Sequence, residues 1–380
     1  MGNLRSPYLE GIRRVVVKVG SQVLAPGGRL DDEVFDQLSA QLLALRHSGL
    51  DVVLVTSGAV AAGRRQLALE DRPRTSPLQQ AAAAAGQIAL LERYSSRLTP
   101  QDQPVAQLLL SCDDVADRRR YTNARNTVST LLGLGVMPIV NENDTVAIEE
   151  IKFGDNDRLS ALVTQLVEAQ LLILLTDVDG FFDADPRCSP DATRYEFVER
   201  ITDDHVGQAG PTTSGVGLGG MVTKLEAARQ AALGGASTVI ASGRESRVLE
   251  RVLAGESIGT WIAAGRRLGS RKQWIAYSSE PAGLVTVDEG ARRALADRGT
   301  SLLPSGVTAV EGDFARGSSV RVAGPDGAEI GRGLASYSAD DLRRIAGRQS
   351  DAIREVLGYK YFDEVIRRDD FVLTADLEEC

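Results

Sequence analysis

The sequence predicts an α/β protein, a three-layer α/β/α stack around a mostly parallel sheet, followed by a small β-rich module. Three observations predict it. Between residues 11 and 265, short β-branched runs alternate with helical patterns. Those runs are apolar throughout, as in parallel strands covered on both faces. After residue 265 the character changes: Gly265 to Lys272 is basic and glycine-punctuated, and short strands with turns follow. A chain of 380 residues also exceeds one ordinary core. The expected divisions are a first domain at 1–265, a linker at 266–279, a β-rich domain at 280–360 and a tail at 361–380.

The elements follow in order. Val15 to Val19 reads as a buried strand closed by Gly20. Asp32 to Arg46 has helical periodicity, stopped at Gly49. Asp51 to Val55 is a second strand, running into Thr56-Ser57-Gly58. Leu78 to Leu98 is an alanine-rich helix. Further strands are expected at Val105 to Leu110, Met137 to Val140, Leu171 to Leu175 and Thr238 to Ala241. Helices fit Asn123 to Leu134, Asp157 to Glu168 and Val222 to Leu233. The last third offers strands at 283–287, 301–310, 319–323 and 329–334, a helix over 288–298 and a helical stretch over 339–357.

Composition removes several function classes. Lysine and arginine total 43 against 52 aspartates and glutamates, a net charge of −9, so the molecule as a whole repels a nucleic-acid backbone. Three scattered cysteines form no CxxC pair, which argues against a disulfide framework or a structural zinc. The two histidines, His47 at a helix end and His205 in an acidic loop, read as surface residues, so histidine-base chemistry is not expected. No apolar run is long enough to cross a bilayer, and Val15 to Val17 is too short for a signal-peptide core, so the default expectation is a cytoplasmic protein.

Ligands of parallel sheets bind beyond the carboxyl ends of the strands. Four polar turns fall there: Lys18-Val19-Gly20-Ser21, Thr56-Ser57-Gly58-Ala59, Asn141-Glu142-Asn143-Asp144 and Thr176-Asp177-Val178-Asp179-Gly180. The sharpest segment lies elsewhere. Gly215-Val216-Gly217-Leu218-Gly219-Gly220-Met221-Val222-Thr223-Lys224 opens a helix, where glycines admit a phosphate and free N–H groups meet it. It is not a P-loop, because GxxxxGK[ST] is absent. Lys18, inside an apolar strand, needs an anion at the strand end. The run Thr56 to Gly63 offers small residues suited to backbone donors around an anion. Asn141 to Asp144 and Phe153 to Arg158 form a pocket for a charged amine. In it Asp144 pairs with an amino acid's ammonium and Asn156 with a carboxylate or carbonyl. Asp157 either orients the lysines or helps to hold Mg²⁺.

The missing histidine base has a chemical explanation. A carboxylate acceptor, with a pKa of about 4.3, is already a nucleophile at neutral pH. What it needs is relief of the repulsion between two anions, supplied by lysines, helix N-termini and Mg²⁺.

The segments VVVKVGS, VTSGAVAAG, NENDTV, GDNDRLSALV, LLTDVDGFFDADPR and GLGGMVTK resemble, in wording and order, the amino acid kinase superfamily and its glutamate-phosphorylating branch. The resemblance spans residues 13 to about 262. It implies transfer of the γ-phosphate of ATP to the side-chain carboxylate of L-glutamate, the first step of proline synthesis. Lys18 and Lys224 are then phosphate-stabilising, with Asp157 organising them. Ser57, Asp144 and Asn156 bind glutamate. Lys18, Thr176, Asp177, Leu218, Gly219, Gly220, Met221, Val222, Thr223 and Lys224 bind nucleotide. The family usually has threonine where this chain has Leu218. The last third resembles a PUA domain, through Gly283 to Ala291, Ser301 to Val307 and Gly312-Asp313-Phe314. The resemblance also implies proline feedback inhibition and a dimer or tetramer.

Two rivals stand beside this reading. One is a sibling kinase acting on acetylglutamate, aspartate or a nucleoside monophosphate. The other is an RNA-binding protein acting through its last hundred residues. Those residues hold 13 lysines and arginines against 18 acids, the wrong sign for a phosphate backbone.

Overall fold

The computed structural model describes residues 4–69, 73, 75–146, 156–210, 220–265, 275 and 281–374. The chain forms two compact units, residues 1–267 and 268–380.

The first unit is built on an eight-stranded sheet. Its strands are β1 (Arg14–Val19), β2 (Asp51–Val55), β3 (Val105–Leu110), β4 (Met137–Glu142), β5 (Leu171–Thr176), β6 (Phe197–Val198), β7 (Ser237–Ser242) and β8 (Thr260–Ile262). They lie in the order β3-β4-β2-β1-β5-β7-β8-β6. All pairings are parallel except β7 with β8. The strands β4, β2, β1 and β5 are neighbours, so the four polar turns expected at strand ends stand side by side.

Alternation along β1 divides the core in two. Val15, Val17 and Val19 pack into one cluster with Phe35, Leu42, Leu90 and Tyr94. Val16 packs into the other with Leu159, Val163, Leu225 and Ala228. Successive side chains point to opposite faces of a strand, so Lys18 shares the face of Val16. That face is covered by the helices Asn156–Leu166 and Met221–Leu233. The sequence thereby aims a lysine at the two helices that carry Asp157 and Lys224.

The run after β2 is a turn that leads into a helix. Thr56 to Gly58 make the turn, with Gly58 at φ 96°, and Ala59–Gln66 is a helix. Its small residues serve packing. A Cβ on Gly63 would lie 1.7 Å from the Ala82 carbonyl oxygen, and one on Gly86 would lie 1.8 Å from that of Ala59. The helices Ala59–Gln66 and Ser76–Leu98 therefore touch backbone to backbone. Gly86→Ala should cost about 3 kcal/mol or more, read as a lower urea midpoint at unchanged slope, since overpacked cores cost this much even where side chains can yield. An unchanged midpoint would show that the contact is dispensable.

His205 is not in a loop. It lies in the helix Asp203–Gln208 and completes a capping box with Thr202. His47 closes the helix Asp32–His47.

The second unit holds a five-stranded sheet of β9 (Gly283–Val287), β10 (Val307–Gly312), β11 (Ser319–Ala323), β12 (Glu329–Leu334) and β13 (Phe371–Leu373), in the order β10-β9-β11-β12-β13. The stretch read as a strand over 301–310 begins instead with the 3-10 turn Pro304–Gly306. The helical stretch over 339–357 is two helices, Ala339–Ile345 and Ile353–Leu357. Beyond residue 360, β13 pairs with β12, and Val365, Ile366, Phe371 and Val372 are core residues of this unit. Tyr337 ties this segment down, its hydroxyl accepting from the N–H groups of Tyr361 at 3.1 Å and Phe362 at 3.0 Å.

Candidate active site

Three of the residues singled out by sequence meet at one carboxylate. Asp157 Oδ1 accepts from Lys18 Nζ at 2.5 Å. Asp157 Oδ2 accepts from Lys224 Nζ at 3.1 Å and from Thr223 Oγ1 at 2.9 Å. Lys18, Asp157 and Lys224 are 6%, 1% and 7% exposed, so this is a buried ionic cluster. Burial alone would push the Asp157 carboxyl up, but the two ammonium groups outweigh it and hold the group well below the usual carboxylate range. Two cations on one anion leave the triad with a net positive charge. Buried charge acts strongly on whatever anion comes next.

Local structure explains each position. Lys18 comes at the carboxyl end of β1, beside Val55 on β2 and Leu174 on β5. Asp157 is in the first turn of Asn156–Leu166, a helix buried at every residue except Arg158. Lys224 is in the first turn of Met221–Leu233, whose N-cap Gly220 provides no side-chain cap. Among the described residues no side chain caps the opening N–H groups of that helix, the groups by which helix starts bind anions. Gly220 to Lys224 are thus placed at the cluster, while Leu218 and Gly219 lie outside the described residues.

A second group, linked by amides, lies against the first. Asn156 Nδ2 donates to Ser57 Oγ at 3.0 Å and to Asn141 Oδ1 at 3.1 Å. Asn141 Nδ2 donates to Gln87 Oε1 at 3.2 Å. Ser57, Asn141 and Asn156 are all buried, and Asn156 Oδ1 is buried with no hydrogen-bond partner among the described residues. Asp144, in the turn after β4, is 7% exposed, and burial pushes its carboxyl up to about 6. A buried oxygen without a donor among the described residues and a buried carboxylate both ask for a cation or an N–H group.

Thr176 ends β5 and donates to Asp177 at 3.1 Å, and Asp177 is exposed. Neither touches the lysine cluster. Phe153 to Asp155 lie outside the described residues. Among the described residues, no group of three or more His, Cys, Asp or Glu is placed to hold a metal ion, and no helix is long and apolar enough to cross a membrane.

Sequence reasoning missed Gln87 altogether. The available signal was a glutamine on the inward face of an alanine-rich helix, between the buried Ala83 and Leu90. Asn141 appeared only as part of a run. Thr223 was read as a nucleotide contact, and its hydroxyl also donates to Asp157 Oδ2.

The amino acid kinase family matches residues 13–242, and the PUA domain matches residues 283–357. A glutamate 5-kinase of Geobacter sp. (strain M21) is 50% identical over 372 residues, covering 97% of this chain and 100% of that protein. The glutamate 5-kinase of Geobacter sulfurreducens is also 50% identical over 372 residues, with the same coverage. That of Nitrosococcus oceani is 49% identical over 375 residues, covering 98% and 100%. Among solved structures, UMP kinase from Bacillus anthracis aligns at 16% identity with a TM-score of 0.46, covering 68% of this chain and 98% of that one. With the family spanning more than half of its length and these relatives nearly all of it, the chain belongs to the amino acid kinase family, among the glutamate 5-kinases.

Proposed function

We propose that the chain transfers the γ-phosphate of ATP to the side-chain carboxylate of L-glutamate, giving glutamyl 5-phosphate and ADP, the opening step of proline synthesis. The observation that carries this reading is the buried carboxylate of Asp157, which holds two lysines at the mouth of a helix.

In this reading the acceptor arrives ionised and needs no base. Lys18 and Lys224 flank the moving phosphoryl group and neutralise the charge gathering on its oxygens. Asp157 accepts from both lysines and from Thr223, which supports the first of its two expected roles, orienting the lysines. The N–H groups that follow Gly220, with Thr176 and Asp177 at the end of β5, receive the nucleotide. When bound, Mg²⁺ screens the β- and γ-phosphates. Such an ion is carried largely by phosphate oxygens and water and needs few protein carboxylates, which suits a site whose most buried aspartate is already committed. Ser57, Asn156 and Asp144 hold glutamate. By the same resemblance, the enzyme is cytoplasmic, is restrained by proline and assembles as a dimer or tetramer. The net negative charge of its last hundred residues does not favour RNA as the main ligand.

The test is acyl-phosphate trapping with hydroxylamine, supplying ATP, Mg²⁺ and a panel of acceptors. Hydroxamate should form with glutamate and match ADP release. Hydroxamate with aspartate or ADP release with UMP, and none with glutamate, would move the chain to a sibling activity.

Asp144 adds a pH prediction. Its charged form holds the ammonium, so the KM for glutamate should rise as pH falls through 6, about tenfold between pH 8 and pH 5, with the KM for ATP nearly flat. A glutamate KM that stays level across that range would remove Asp144 from the ammonium site. The stability linkage has the opposite sign. A carboxyl raised from 3.8 to about 6 by burial favours folding below pH 3.8, and that contribution is lost as pH rises through 6. Without glutamate, Asp144→Asn should therefore stabilise the protein at pH 8, by up to about 3 kcal/mol.

A further inference from the structure

The first unit carries another concavity, on the face of its sheet away from the lysine cluster. A cavity of about 660 Å³ opens between the turn at Gly27-Gly28-Arg29 and the helices Ala59–Gln66 and Ser76–Leu98. Those helices pack, through Ala59 and Leu90, on the face of Val15, Val17 and Val19. Lys18 shares the opposite face with Val16, under the helices Asn156–Leu166 and Met221–Leu233. The cavity is therefore separate from the place where Lys18, Asp157 and Lys224 meet.

Its charged lining is lopsided. Arg29, Arg64, Arg65 and Arg93 line it with one acid, Glu92, in a chain whose acids outnumber its lysines and arginines by 52 to 43. Two of the guanidinium groups are half-buried and held from the protein side. Arg64 Nε donates to the Leu69 carbonyl at 3.2 Å. Gly28, at φ 81°, makes room for that side chain, since a Cβ there would stand 3.2 Å from Arg64 Nη1. Arg93 Nη1 donates to the Ala89 carbonyl at 3.3 Å. Its Nε is buried, and it lies 3.3 Å from the exposed Asp32 without hydrogen-bond geometry. Arg29 and Arg65 are exposed and have no ion-pair partner among the described residues. Cations gathered round one hollow repel each other, and an anion among them relieves that repulsion. Guanidinium groups meet phosphate and carboxylate with paired N–H bonds, so one anionic ligand satisfies several of them at once.

We propose that this cavity binds a small polyanion with two or more phosphate or carboxylate groups, held by the half-buried Arg64 and Arg93 together with the exposed Arg29 and Arg65. Its volume falls in the ordinary range of small-molecule sites, about 300–1,000 Å³. The site does not depend on which acceptor the lysine cluster serves, so it stands apart from the glutamate reading.

The test is calorimetric titration of the full-length protein, free of Mg²⁺ and at low ionic strength, with pyrophosphate and separately with citrate. At least one of the two should bind with a Kd below about 1 mM. In a variant carrying both Arg29→Gln and Arg65→Gln that Kd should rise about fivefold or more, while kcat and both KM values stay within about twofold. Pyrophosphate can also enter the lysine cluster, and Lys224→Ala separates the two sites: binding in the cavity should keep its Kd there within about twofold. Tighter binding of pyrophosphate points to a phosphorylated ligand and tighter binding of citrate to a carboxylic acid, and either supports the site. No binding below about 1 mM by either anion overturns the proposal, as does a rise smaller than about fivefold in the double variant. Binding that is lost only in Lys224→Ala belongs to the catalytic site and overturns it too. If the double variant does not fold, Arg65→Glu, which reverses one charge, is held to the same fivefold criterion.

Discussion

Lys224→Ala should lower kcat by at least about a thousandfold, equivalent to about 4 kcal/mol of lost transition-state stabilisation, while the KM for glutamate moves only a fewfold. Lys18→Ala should behave alike. The fold should survive both changes for a reason specific to this cluster. Two lysines share one aspartate, so removing either lysine leaves a matched pair and strands no charge. Lys224→Arg should not restore turnover, because a guanidinium does not fit a site that leaves lysine 7% exposed. Steady-state ADP release with saturating ATP and glutamate, alongside a thermal melt, reads both parts. Near-normal turnover in the two alanine variants would remove the lysines from the chemistry.

Asp157→Ala should have the opposite profile, failing in stability as well as in turnover. It leaves two buried ammonium groups facing each other with their shared counter-ion gone. Breaking a buried pair in this way costs about 3–5 kcal/mol. Asp157→Asn keeps the shape and the oxygen but not the charge, so it should lose nearly as much turnover and somewhat less stability. Urea unfolding at pH 7 measures the difference. An Asp157→Ala protein as stable as the unaltered one would mean that the lysines do not depend on this carboxylate.

Much of this site was legible because each lysine carried a local contradiction. Lys18 sits in an apolar strand and Lys224 follows a glycine-rich approach to a helix, and each arrangement requires an anion. The face on which Lys18 lies was equally implicit, since it alternates with Val17 and Val19 and follows Val16 by two. The meeting of Lys18, Asp157 and Lys224 was less visible, because 139 residues separate the first two and only the strand order β2-β1-β5 with its covering helices closes that gap. The amide network was not legible at all. It needs the backbone of Glu142, a side chain from the alanine-rich helix and the first residue of another helix, three segments that no spacing connects. The packing role of the small residues after β2 was hidden for a related reason. Alanine and glycine suit an anion loop and a close helix contact equally, and the partner glycine, Gly86, lies on another helix. At the chain's end, alternation within Phe371–Leu373 was too short to announce a strand, and pairing with β12 supplies what local pattern lacks.

The central claim is that one buried carboxylate holds two ammonium groups against the phosphoryl group in flight. A crystal structure with ADP, Mg²⁺, glutamate and a metal-fluoride mimic of that group tests it directly. Lys18 Nζ and Lys224 Nζ should both stand about 3 Å from the mimic while keeping their bonds to Asp157. Either nitrogen standing more than about 6 Å from the mimic, beyond the reach of any charge-assisted bond, would contradict the claim.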